Sequence, residues 1–421
     1  MWRHSAQPRE GWRDIVTQQG LVFPDTDLPG GGTTPYWNEA AWYELTLDEV
    51  ERMEAATEEL WPMCVEAATK MATELTDERL GLPTGTLDLV RHSIKRVEPS
   101  IYARFDFWFD GDLPKVLELN GDTPTGLVET GVVQWKWLES ELPDNDQWNS
   151  VHERLVDRWR ELDRAGLLPG HAVHFLYAGD EPTGEEEMTT RYMQDCAAQG
   201  GLLTYAHPIH EVGWNSRLRQ FLDRDGRRIR SAFKLYPWEA MVAEEFGRIL
   251  LEHQEQEPVR WIEPAWKVLL STKALLPVLW ELYPDHPLLL PSYRDHPHEL
   301  EEWVAKPLWG REGDNIRVHL ADGTDTVQPG AYGHDDVVYQ QWCPLPDFDG
   351  NRAMIGSWVV DGQAAGMIVR ESDGPITDYY SRVVPHAIGD GLMPDAGTQQ
   401  QWRAERVVTV TTPRLPDRPF P

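Results

Sequence analysis

Cysteine is scarce in this chain: three thiols in 421 residues, at Cys64, Cys196 and Cys343. Spaced so widely they build neither a disulfide framework nor a CxxC metal clip, and reduced thiols in a cytoplasmic protein are the expectation. Long apolar runs are also missing. Nothing approaches the ~20 residues that a membrane-spanning helix needs. The opening residues Met1-Trp2-Arg3-His4-Ser5 lead into Gln7-Pro8-Arg9-Glu10 with no apolar stretch behind them, so no secretory leader is expected. Positive charge is outnumbered, with 39 Lys and Arg against 70 Asp and Glu and a net charge of −31. That balance excludes nucleic acid as a partner, because phosphate binding needs a basic surface. An acidic surface keeps a protein in solution, and it also draws in a small cationic substrate. No convincing Ser-His-Asp or Cys-His constellation occurs. The histidines of Asp285-His286 and Asp295-His296-Pro297-His298 are broken by proline and do not suit a closed metal-hydrolase site.

What remains is an ordinary globular composition, 41% apolar and 26% charged, with an unusual 20 tryptophans that point to large aromatic cores or stacking platforms. The length calls for two or three packed subdomains. After a Gly/Pro-rich entry at 29–35, residues 47–75 carry apolar side chains at helical spacing, with proline first met at Pro62. Residues 155–162 read as helix, 171–177 as a buried strand, 186–199 as helix and 202–205 as strand, the makings of a parallel unit. A helical zone at 265–282 contains Pro277, either a break or a first-turn residue. Strands are predicted at 303–306, 337–340, 354–360 and 365–370, the last two joined by an Asp361-Gly362 hairpin turn. The tail after Pro413 is Pro-rich, and no internal repeat is present.

The most informative stretch is 101–120. Aromatic, alternating residues run to Phe109, Asp110-Gly111-Asp112 turns the chain, and 115–120 runs back, which predicts a β-hairpin. A turn centred near Asp112 sets Asp106 across from Glu118 and Arg104 across from Asn120. With side chains alternating between faces, all four share one side. Two opposed acids repel unless a cation lies between them, and Mg²⁺ takes carboxylate, amide and phosphate oxygens. The competing reading is a solvated polar face in which Arg104 pairs with an acid. The loop 121–126 is rich in hydroxyls and backbone donors. It suits a carboxylate or phosphate beside the metal, or it is an ordinary turn with Thr125 capping a helix from Leu127.

Two further segments carry candidate charge. Lys306 stands at a strand end before Gly310-Arg311-Glu312-Gly313, where glycines let backbone N–H groups approach a phosphate. This is not a GxxxxGK[ST] loop. Lys267 and Lys273 precede it, and one of them reaches the nucleotide or both lie on a solvated helix face. Arg370, before a polar loop, balances charge in phosphoryl transfer or pairs with Glu371 or Asp373.

Arg104-Phe105-Asp106, the run 118–125, Val133-Gln134-Trp135-Lys136-Trp137, the run 306–313 and Ile355-Gly356-Ser357-Trp358 together resemble the glutathionylspermidine synthase family over residues 10–390. The resemblance implies an ATP-grasp fold, mixed α/β (α+β) with mostly antiparallel sheets and an inserted strand-helix-strand subdomain. It implies no amidase domain, and parts at 1–150 (helices and Mg-binding hairpin), 151–260 (α/β substrate subdomain), 261–345 (ATP lid) and 346–421 (core strands and tail). By the same resemblance Asp106, Glu118 and Asn120 hold Mg²⁺, two ions in all. Arg104 and Arg370 stabilise the transferring phosphoryl group, and Thr123 and Thr125 contact the acid. Lys273, preferred over Lys267, binds ATP with Lys306, Gly313 and Gln341. Gly121 and Thr272 depart from the family's usual Ala and Asn.

The implied reaction is ATP-dependent amide formation through an acyl phosphate, from a glutathione-like acid and a polyamine-like amine. The acidic run 180–187 is either an amine anchor or a helix start favoured by the dipole. Rival readings are a kinase or peptide-tailoring ligase on the same fold, and a non-catalytic nucleotide-binding homologue.

Overall fold

The computed structural model describes residues 1–180, 182–253, 259–330 and 336–390, so the predicted Pro-rich tail lies outside the described residues. The predicted hairpin is present and forms one edge of a six-stranded antiparallel sheet. Tyr102–Trp108 pairs with Lys115–Asn120 on one side and with Asn351–Val360 on the other, followed by Gln363–Ser372 and Arg382–Val384; the short strand Asp347–Phe348 also pairs with the start of Asn351–Val360. Residues from the beginning and the end of the sequence thus share one sheet. Asn351–Val360 is buried from Ala353 onward, which explains its nearly continuous apolar run. Its turn is the one expected: Asp361 (φ 52) and Gly362 (φ 75) both adopt left-handed backbone, the geometry of a two-residue hairpin loop.

The strand-helix-strand prediction also holds. Ala172–Tyr177 and Leu203–Pro208 pair in parallel across the helix Glu185–Gln199, and Ser231–Leu235 and Arg260–Ile262 extend the sheet in parallel. A third, five-stranded antiparallel sheet contains Ser292–Tyr293, Val337–Gln341, Trp303–Pro307, Arg317–His319 and Asp325–Val327 in that order. The helical zone at 265–282 is two pieces: a 3₁₀ segment Ala265–Leu270 and the α-helix Leu275–Leu282. Pro277 lies in the helix's first turn, where its missing N–H removes no helical bond. The break between the pieces is where Lys273 sits.

One sequence expectation fails locally. Thr125 does not cap the following helix. The helix starts at Leu127 as expected, but Gly126 (φ 97) stands at its cap, its carbonyl accepting the N–H of Thr130, and Thr125 turns its own carbonyl to Arg104. A residue with positive φ fits the sharp exit from the loop, and glycine supplies it. The chain then runs through a π-helical turn, Glu129–Val133, into Gln134–Glu141.

The long helix Leu47–Glu74 lays Val50, Met53, Leu60, Cys64, Ala67 and Met71 into the core, and its Thr57 hydroxyl meets Ser357 of the large sheet at 2.7 Å. It begins with a capping box: the Thr46 hydroxyl accepts the Glu49 N–H at 3.2 Å, and Glu49 accepts the Thr46 N–H at 2.8 Å. No helix among the described residues is long and apolar enough to cross a membrane. Removing the cap hydroxyl in Thr46→Ala should lower the unfolding free energy by about 1 kcal/mol. Urea denaturation would show this as an earlier midpoint with an unchanged slope.

Candidate functional site

The hairpin register is the one read from the sequence: Arg104 opposite Asn120 and Asp106 opposite Glu118, with a bulge just after Asp106. The four polar side chains form one connected group. Arg104 Nε donates to Asp106 Oδ1 at 2.8 Å. Asn120 Nδ2 donates to Asp106 Oδ2 at 3.0 Å and to Glu118 Oε1 at 3.1 Å. Arg370 reaches across the sheet to Asp106 Oδ2 at 2.6 Å. Its alternative partners are taken elsewhere: Glu371 is bound by Arg3 and Arg382, and Asp373 by Arg382. Asp106 is fully buried. Burial works against the Arg104 cation, yet Asp106 beside it holds its pKa above the ordinary value.

Two lysines complete the charge set. Lys273 Nζ lies 3.1 Å from Glu118 Oε2 and donates to the Gly310 carbonyl at 2.8 Å, so it ties the hairpin to the glycine loop. Lys306 donates to Leu117 O at 2.9 Å and to Gln340 Oε1 at 2.8 Å. Gln340 Nε2 in turn donates to Val116 O at 3.1 Å and clamps the five-stranded sheet to the hairpin. Burial pushes the Lys306 ammonium down to about 8, although Glu118 favours its charge. Burial also opposes ionisation of Glu118, but Lys273 and Lys306 outweigh it and hold this carboxyl far below its usual range. Lys267 is elsewhere: it donates to Ser100 Oγ and Tyr102 O, each at 2.8 Å, and pairs with Glu263 at 3.2 Å. It braces the fold.

The loop after the hairpin contains a pair that the sequence reading missed. Asp122 accepts Lys234 Nζ at 2.7 Å and the Trp238 N–H at 2.8 Å, and both side chains of the ion pair are fully buried. Lys234 belongs to the parallel sheet, so this pair joins that sheet to the loop carrying Thr123 and Thr125. Only its position directly before Thr123 could have signalled it. Arg311, between the two glycines, was likewise given no role. It contacts Thr123 Oγ1 at 3.4 Å and Glu239 Oε1 at 2.6 Å.

These groups border a cleft of about 830 Å³, measured out to its open mouth. Glu118, Lys273, Lys306, Gly313, Gln341 and Arg370 all line it, with Val304, Leu345, Met354 and Ile376 as an apolar wall. Asp106 and Asn120 adjoin it through their bonds to Arg370 and Glu118, and Arg104 through its bond to Asp106. Gly313 has φ 73, and a Cβ there would lie 2.6 Å from the Thr377 carbonyl, so the loop can approach only as glycine.

The glutathionylspermidine synthase preATP-grasp family model matches residues 3–389. The chain belongs to that family. The glutathionylspermidine synthase family is one of ATP-dependent acid–amine ligases, so C–N bond formation driven by ATP is its class of chemistry. A Haemophilus influenzae protein, named as a candidate acid–amine ligase, is 38% identical over 89% of this chain and 96% of its own length. The bifunctional glutathionylspermidine synthetase/amidase of Escherichia coli is 26% identical over 82% of this chain but only 58% of its own length. Among solved structures, a glutathione synthetase-like effector from Globodera pallida shares the fold. Its TM-score is 0.52 at 9% identity, covering 90% of this chain and 96% of that one.

The family implies magnesium, and the hairpin's donor set fits it. No trio of His, Cys, Asp or Glu among the described residues could by itself hold a metal. Mg²⁺ does not require such a trio: two carboxylates and an amide oxygen suffice when nucleotide oxygens and water complete the shell. The Asn120 NH₂ group, which is the positive end of an amide dipole, lies between the two acids and bonds to both. A cation has the same electrostatic reason to settle there, and rotating the amide would present Oδ1 to it.

Gly121, one of the departures from the family's usual residues, has a steric cause. A Cβ at this position would fall 2.3 Å from Leu270 Cβ and 3.0 Å from its backbone. Gly121→Ala should therefore move the 3₁₀ segment away from the hairpin, at a cost of about 1–3 kcal/mol. Chemical denaturation would measure the loss.

Proposed function

We propose that this chain joins a glutathione-like carboxylate to a polyamine-like amine through an acyl phosphate, consuming ATP. The observation that carries this is the convergence of Asp106, Glu118, Asn120, Lys273, Lys306 and Arg370 at one end of the cleft. The four-part division of the chain and its cytoplasmic setting belong to the same reading.

The adenine lies against the apolar wall, with Gln341 and Gly313 beside it. Lys273 and Lys306 receive the phosphates, exchanging their present carbonyl and amide partners for phosphoryl oxygens. Asp106, Glu118 and Asn120 would hold the magnesium, as two ions, which neutralises phosphate charge. The acid is held by Thr123 and Thr125, and its carboxylate attacks the γ-phosphorus. Arg104 and Arg370 then face the transferring group. Arg370 Nε is buried with no partner among the described residues, leaving a donor for a phosphoryl oxygen. The amine displaces phosphate from the acyl phosphate through a tetrahedral intermediate. Positioning and charge neutralisation drive both steps, and no protein nucleophile is needed. The glycine loop covers the intermediate against water.

The amine side is assigned to the acidic run 180–187, of which Glu181 lies outside the described residues. Glu186 accepts the Ala178 N–H at 3.1 Å, and Glu187 accepts from Tyr177 and Arg191. Glu185 lies within electrostatic reach of Tyr36.

Screening acids, glutathione included, against spermidine and related amines for coupled ADP release tests the reading. A ligase forms amide with ADP and phosphate only when both substrates are present. A kinase leaves a stable phosphorylated product without the amine, and a non-catalytic homologue releases no ADP. Asp106→Asn and Glu118→Gln should each reduce turnover by at least about 100-fold; turnover near wild type would remove the metal assignment.

Lys306 adds a pH signature. Its ammonium loses its proton as pH rises through about 8 in the free protein, and phosphate binding favours the protonated form. Nucleotide binding therefore takes up a proton, and ADP affinity should weaken roughly ten- to thirtyfold between about pH 7.5 and 9.5. Calorimetry on wild type and on Lys306→Arg, whose guanidinium stays charged, should show the slope in the first and a flat profile in the second.

A further inference from the structure

The acyl-phosphate step leaves a chemical requirement that the groups above do not meet. An alkylamine is an ammonium at neutral pH and has no lone pair until a base removes a proton. The groups around the phosphoryl position are Arg104, Arg370, Lys273 and Lys306, which are cations, and Asp106 and Glu118, which are occupied by those cations and Asn120.

Glu129 stands apart from that set. It opens the π-helical turn that follows the substrate loop, and it is fully buried. The Tyr36 hydroxyl donates to its Oε1 at 2.7 Å. Its other oxygen, Oε2, is buried with no hydrogen-bond partner among the described residues. Leaving a carboxylate oxygen unpaired in the interior costs on the order of 1–3 kcal/mol, so such a group calls for an explanation. The π-turn is itself a local departure from α geometry of the kind found at functional positions. It is also wedged in place: a Cβ on Gly131 would lie 2.1 Å from the hydroxyl of Tyr192, on the helix that begins with Glu185.

The charged and titratable groups near Glu129 and its partner Tyr36 come from both ends of the proposed reaction. Arg104 lies within its electrostatic reach, and Tyr36, its bonded partner, feels Glu185 and Arg370 as well. The phosphoryl-binding arginines and the acidic start of the helix Glu185–Gln199 are thus both within electrostatic reach of the Glu129–Tyr36 pair. Burial raises the Glu129 carboxyl above the ordinary range, against the smaller opposing effects of Tyr36 and Arg104, which makes it a stronger base than a solvated glutamate.

We infer that Glu129 is the group that takes the proton from the attacking ammonium, with Oε2 as acceptor and Tyr36 fixing the carboxylate through Oε1. This rests on the ligase reading. The step balances: one N–H proton passes to Glu129, and the freed nitrogen lone pair forms the C–N bond. The carbon–oxygen bond to the phosphate breaks, and a second N–H proton leaves with the phosphate, giving the amide, hydrogen phosphate and protonated Glu129.

Hydroxylamine separates this role from a structural one, because it is unprotonated at neutral pH and attacks acyl phosphates without a base. The full chain is given ATP, Mg²⁺ and glutathione, with either hydroxylamine or spermidine as the nucleophile. Glu129→Gln should form hydroxamate within about threefold of wild type, while spermidine amide formation falls by about 100-fold or more. The residual spermidine rate should rise with pH in step with free amine. Tyr36→Phe, which keeps Oε2, should lose less than about tenfold in spermidine turnover. Equal slowing with both nucleophiles, or spermidine turnover near wild type in Glu129→Gln, overturns the inference while leaving the ligase intact. Wild type that releases no ADP with glutathione or any other acid of the screen overturns the ligase reading, and this inference with it.

Discussion

Two carboxylates facing one another across a two-stranded ribbon set the terms for the rest of the molecule. Asp106 and Glu118 are opposed by register and cannot move apart without breaking the sheet. Their repulsion has to be answered by positive groups brought in from elsewhere. Arg104 comes from the same strand, Arg370 from two strands away, and Lys273 from the break between two short helical segments, with Lys306 nearby on a separate sheet. The tertiary arrangement can be understood as the means by which those cations are delivered. On the proposed reading, the same convergence is what lets the cleft receive phosphate.

The supporting structure explains why these contacts are reliable. Gln340 holds the five-stranded sheet against the hairpin through Val116 while its carbonyl oxygen fixes Lys306. Lys273 is pinned at both ends, by its backbone N–H to Leu308 O and by its ammonium to Gly310 O. A lysine is a flexible point charge, and before any ligand arrives the Lys306 ammonium is confined by two carbonyl oxygens and the Lys273 ammonium by one carbonyl oxygen and the Glu118 carboxylate.

Much of this was legible in the sequence because it depended on short-range rules. The hairpin pairing follows from one turn position and a period of two, and the structure reproduces both predicted pairs. The parallel strand-helix-strand unit followed from the same kind of pattern. The illegible parts depended on distance along the chain. Asp122 and Lys234 are 112 residues apart, and Arg311 meets Glu239 across 72. Periodicity carries no information about such encounters. The capping reading of Thr125 fails for a subtler reason: threonine is a good helix cap, but the glycine after it takes the exit conformation and leaves the threonine carbonyl for Arg104. Glu129 passed unnoticed because an acid in a helical stretch ordinarily lies on the surface.

The buried Asp122–Lys234 pair has an evolutionary corollary. Losing either member alone would strand a charge in the interior, which is far more damaging than losing both together. A lineage drifting toward a new acid substrate therefore cannot readily rebuild the loop around Asp122 one residue at a time. It is steered toward Thr123 and Thr125, which follow the locked position and can change singly, so under the proposed acid-binding role of this loop, diversity in what the architecture accepts should concentrate there.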